Sequence, residues 1–155
     1  MRRAHLGMAM FLIAEAVFFF LLILAFVYFR AKGNLSIEVG SLDTALLLAS
    51  SLSMWRAIGG SRVWQALTIV LGAAFLAGQG SQYVRLIRDG VTIGQGLFGT
   101  TFFTLVGAHG LHVLAGLVAL AVVPSTALRT LALYWYFFAG VWVVIFLAAY
   151  VWGAA

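Results

Sequence analysis

The chain has no cysteine, one proline (Pro124), and charge on only 8% of its residues. Without cysteine there can be no disulfide, no thiolate catalysis and no Cys-held zinc or iron–sulfur cluster. So little charge rules out a water-soluble surface. With 65% hydrophobic residues and a mean hydropathy of +1.12, the apolar area is more than a soluble domain can cover. No glycine-rich phosphate loop, nucleophile elbow or paired-carboxylate arrangement occurs in the sequence. The net charge of +5 does not point to nucleic acid. The bases stand at the ends of apolar runs, where Lys and Arg anchor helices at head-group level, and they form no basic stripe.

What the chain does have is apolar runs long enough to cross a bilayer, which takes about 20 residues each. Their spacing predicts an all-α, polytopic membrane protein. Residues 1–155 would form one domain of five transmembrane helices, at about 6–28, 42–58, 63–87, 97–123 and 131–152. Arg2 and Arg3 before the first run imitate a signal peptide. That run is too long for one, however, carries Glu15 in its middle, and lacks a small-residue cleavage site after it. The first connection holds Arg30, Lys32, Gly33, Asn34 and Glu38. Gly59, Gly60 and Ser61 make a tight turn, Asp89 and Gly90 close the third span, and Pro124 stops the fourth. Short connections make successive helices antiparallel neighbours. Trp55, Trp64, Trp135 and Trp152 fall near span ends and read as interface anchors, and Tyr134, Trp135 and Tyr136 read as an aromatic belt.

Loop charge gives the orientation. One side carries Arg2, Arg3, Arg56, Arg62 and Arg129 and no acid. The other carries Arg30, Lys32, Arg85 and Arg88 with Glu38, Asp43 and Asp89. The arginine pair ahead of the first span directs the N-terminus to the cytoplasm and the C-terminus outside.

Few polar groups remain at depth. Glu15 is the one carboxylate expected in mid-membrane. It is flanked at helical spacing by Phe11, Leu12, Phe18 and Phe19, so its own helix offers no hydrogen-bond partner. His109 and His112 share one face of the fourth span, and His112 lies at about the depth of Glu15, at ~1.5 Å per residue. A contact between Glu15 and His112 or His109 is therefore expected. Such a cluster fixes helix register in the plainer reading and relays a proton in the sharper one. One carboxylate and two imidazoles are too few for zinc or iron. Histidines at i and i+3 cannot approach a haem iron from opposite sides. Gln79, Gln82 and Tyr83 form a second polar set suited to interhelical hydrogen bonds, and Thr100, Thr101 and Thr104 suit bonds back to their own helix.

Four stretches carry a family resemblance. Leu6–Phe19, which bears Glu15, resembles the glutamate helix of subunit III of haem–copper oxidases. Phe102–Val113 resembles that family's His-Gly-Leu-His helix. Leu71–Tyr83 is similar to its Gln-containing helix, and Tyr134–Trp142 to its last. The matches come in family order and span nearly the whole chain. Departures accompany them. Two further helices that often precede these five are absent, which implies the short form. Gln82 stands where the family commonly has Glu. Tyr136 and Ala139 stand where its last helix has His and Asp.

The resemblance implies a non-catalytic accessory subunit of a terminal oxidase of the cytochrome c or quinol type, in a prokaryotic inner membrane. It would pack beside subunit I, with subunit II in the same complex, and support assembly, proton uptake and sustained turnover. Haem and copper would belong to those partners. This chain would hold no cofactor beyond bound phospholipid, and Glu15, His109, His112 and Gln79 would form its buried polar core. Two other roles are compatible with the residues: a subunit-III-like partner of nitric oxide reductase, and a small transporter using Glu15 as its relay.

Overall fold

The computed structural model describes residues 2–29, 35 and 37–152. Arg30, Lys32, Gly33 and Asn34 of the first connection lie outside the described residues. The described chain forms five long helices: α1 (Arg2–Phe29), α2 (Ile37–Ala57), α3 (Arg62–Arg88), α4 (Leu97–Val122) and α5 (Leu128–Phe146). A π-helical turn, Leu147–Val151, continues α5. All five are long and apolar enough to cross a membrane. A helix satisfies every backbone polar group within one segment, which lipid requires. This is therefore a multi-pass membrane protein.

The helix ends follow local chemistry. Gly60 and Gly90 take positive φ of 93° and 83° in the turns after α2 and α3, a conformation a side chain disfavours. At Pro124 the backbone turns extended, with Val123 at ψ 134°, and α4 ends. The start of α2 differs from the sequence reading. It begins at Ile37, with Glu38 in its first turn, where a negative side chain complements the helix dipole.

The helices pack by a common rule. The buried residues of α2 include Gly40, Asp43, Leu47, Ser50, Met54 and Ala57, spaced alternately three and four apart. In α3 they are Gln65, Thr68, Gly72, Phe75, Gln79, Gln82 and Leu86. In α4 the same rhythm runs through Phe102, Val106, His109, Val113, Gly116 and Leu120. In α5 it runs through Leu131, Trp135, Phe138, Trp142 and Ile145. This 3.5-residue seam is that of coiled-coil packing. Small residues on it bring helices close, as they do in membranes. A Cβ at Gly72 would lie 2.8 Å from both Leu117 and Trp135.

α2 and α3 form the closest pair. α5 packs on α2 and α4, and α4 also packs on α3. α1 rests only on α4, α5 and the π turn among the described elements. Phe19 and Phe26 are its fully buried side chains, whereas Leu6, Met10, Ile13, Val17, Phe20, Leu21 and Leu24 face outward.

Candidate functional site

The buried polar side chains fall into three layers along the bundle axis. The mid-membrane layer joins α1, α4 and α5. His112 Nδ1 lies 2.7 Å from the carbonyl of Ala108, one turn back. A carbonyl only accepts, so Nδ1 carries the proton. That turns Nε2 toward α1, where it stands 3.1 Å from Glu15 Oε2. The approach is close but off the line of a hydrogen bond, and Glu15 Oε2 has no aligned partner. It is the only acid–base contact among the described residues.

His109 does not reach Glu15. Its ring is fully enclosed, and Nε2–H donates to the Phe138 carbonyl at 2.8 Å. This leaves Nδ1 without a partner. Aromatic rings pack around the two imidazoles. Phe138 stacks on His112 with centroids 4.7 Å apart, and Phe19, Phe75 and Trp142 lie against His109. The Tyr134 hydroxyl donates to the His112 carbonyl at 2.6 Å. The structure thus brings Glu15 to His112 and turns His109 toward α5.

The second layer lies toward the end where α3 and α5 finish. Gln79 Nε2 donates to Asp43 Oδ2 at 2.5 Å, and the Tyr150 hydroxyl donates to Gln82 Oε1. Tyr83 donates to the Phe103 carbonyl at 3.0 Å, tying α3 to α4. Asp43 is the residue that sequence reasoning misplaced. By sequence it groups with the loop charges, yet it is only 1% exposed because α2 begins at Ile37, earlier than the apolar run predicts. The π turn swings Tyr150 into this layer, where it lies against Gly40. Gln79 Oε1 and Gln82 Nε2 remain unpartnered. The signal for Asp43 was its seam position, three residues after Gly40 and four before Leu47.

The third layer, nearer the opposite end, is neutral. Ser53 and Thr68 share a hydrogen bond of 2.8 Å, and Gln65 Nε2 donates to the Leu120 carbonyl at 2.6 Å. Trp135 Nε1 donates to Ser50 at 3.1 Å. Trp135 and Tyr134 are buried and so form part of the core instead of an interface belt, because α5 starts at Leu128 and carries them inward. Trp55 and Trp152 are exposed. Thr100, Thr101 and Thr104 bond back to carbonyls of their own segment. Among the described residues, no three His, Asp or Glu side chains converge as a metal site would need.

Comparison with known proteins gives a consistent result. The family described as cytochrome c oxidase subunit III matches residues 34–154. A cytochrome c oxidase subunit 3 of Corynebacterium diphtheriae is 31% identical over 93% of this chain and 85% of its own length. A quinol oxidase subunit 3 of Bacillus spizizenii is 30% identical over 96% of this chain and 86% of its own. A cytochrome bo(3) ubiquinol oxidase subunit 3 of Pseudomonas aeruginosa is 36% identical over 72% of this chain and 63% of its own.

Proposed function

This chain belongs to the cytochrome c oxidase subunit III family, and from that premise we infer that it serves as an accessory subunit of a haem–copper oxidase in aerobic respiratory electron transport. Its role is to hold and position. It packs beside subunit I, in a complex that also contains subunit II, and it steadies the catalytic subunit and that subunit's proton uptake. The haem and copper belong to those partners, and this chain's contribution is its helices and bound phospholipid. The complex lies in a prokaryotic inner membrane, with this chain's N-terminus in the cytoplasm and its C-terminus outside.

The observation that carries this reading is how the buried acids are used. Glu15 faces His112 across α1 and α4, and Asp43 accepts from Gln79 across α2 and α3. Both are spent on helix–helix contacts, where a buried pair fixes register. The layers on either side of the Glu15–His112 contact consist of amides, hydroxyls, an indole and the Asp43 carboxylate, most of them engaged with other helices.

A mild-detergent pull-down of the tagged chain tests the reading, with mass spectrometry of the partners and an optical spectrum of the eluate. Haem bands together with a large polytopic partner are expected. A colourless chain without partners would overturn the assignment.

A further inference from the structure

A concavity at the α2–α3 turn lies outside the three polar layers, and the inference drawn from it rests on the bound phospholipid of the proposed function. It is shallow and open, about 570 Å³ in extent, and is lined by Trp55, Arg56, Gly59, Ser61 and Trp64. The Arg56 guanidinium lies over the Trp64 ring, 4.9 Å from its centroid, within cation–π distance. No carboxylate pairs with Arg56 among the described residues. By loop charge, this side of the bundle carries Arg2, Arg3, Arg56, Arg62 and Arg129 and no acid. The side chain of Ser61, which caps α3, makes no cap hydrogen bond. Trp55 is exposed beside the concavity, at the level where indoles meet head groups.

We propose that Arg56, Trp64 and Ser61 form a binding site for a phosphate group, supplied by the head group of an anionic phospholipid in the leaflet at the α2–α3 turn. Held over Trp64 at the concavity, Arg56 can offer two N–H groups to two phosphate oxygens, the geometry in which guanidinium binds phosphate best. Ser61 Oγ–H is free to donate to a third. Trp55 and Trp64 lie beside the glycerol and upper acyl region. The uniformly positive end draws the anion, and no local acid competes for the arginine.

The test is native mass spectrometry of the full chain, delipidated and reloaded with phosphatidylglycerol or phosphatidylcholine. Phosphatidylglycerol should be retained preferentially. Arg56→Gln should weaken its retention about tenfold, the size of one charge-assisted contact. Arg56→Lys should recover only part, because an ammonium keeps the charge but loses the two-pronged guanidinium fork. Arg129→Gln removes the same charge at the same end, outside the concavity, and should leave retention within about twofold. Equal losses for Arg56→Gln and Arg129→Gln would mean diffuse attraction and would overturn the site, as would equal retention of the two lipids. Displacement of phosphatidylglycerol by millimolar inorganic phosphate would assign the pocket to free phosphate and overturn the lipid assignment. Resistance to phosphate supports the lipid.

Discussion

The mid-membrane layer and the Asp43 layer use similar parts, one acid and its neighbours, but hold the bundle differently. Glu15 fastens a helix that touches the rest along one narrow seam, and its contact partner His112 is anchored by its own helix. Asp43 lies inside the closest helix pair, against the backbone at Gly78, where any added Cβ would strike its carboxylate. Where packing is extensive, the acid is part of the steric fit. Where packing is thin, the acid mainly sets which face of the helix turns inward. The same chemistry therefore predicts large structural costs at one site and modest, association-dependent ones at the other.

Substitutions at four positions, in falling order of effect, break or sharpen this contrast. Gly78→Leu pushes a side chain into Asp43 and separates α2 from α3. It should cost about 3 kcal/mol, seen as lost folded fraction in detergent unfolding, and Asp43→Ala in the same chain should return part of it. A parental unfolding curve would refute the close approach. Asp43→Ala alone leaves the Gln79 amide without its acceptor and should cost about 2 kcal/mol. Asp43→Asn, which keeps an acceptor, should cost less than half of that in the same assay. Glu15→Leu should insert normally and lower the stability of the isolated chain by only about 1 kcal/mol, with a Glu15–His112 coupling near 0.6 kcal/mol in a double-mutant cycle. A coupling as large as that between Asp43 and Gln79 would erase the distinction between the layers. Trp135→Phe, which loses the bond to Ser50 but keeps the ring in the core, should cost about 0.6 kcal/mol.

Much of the architecture was legible in the sequence, because length, apolarity and Pro124 speak directly about spans. The start of α2 was not legible. Glu38 and Asp43 look like loop charges when counted by type, and only the three-and-four spacing from Gly40 through Asp43, Leu47 and Ser50 marks a buried seam. Hydrophobic periodicity cannot reveal such a seam when the outward faces are equally apolar, as they are in lipid. Here the seam is marked instead by small and polar residues. Glu15 and His112 stood out because they are ionisable in mid-run. Gln79 and Asp43, 36 residues apart, meet through a fold that no local pattern reports. The resemblance places an acid at the position of Gln82. In this chain the acid of that layer is Asp43, on the facing helix.

The most direct test of a holding role for Glu15 is oxygen consumption by the purified oxidase complex, with wild-type chain and with Glu15→Gln. The initial rate per haem should be unchanged, while less of this chain is retained and activity decays sooner during sustained turnover. A complex that keeps its full complement of this chain but starts about tenfold slower would contradict the account and place Glu15 within the proton chemistry itself.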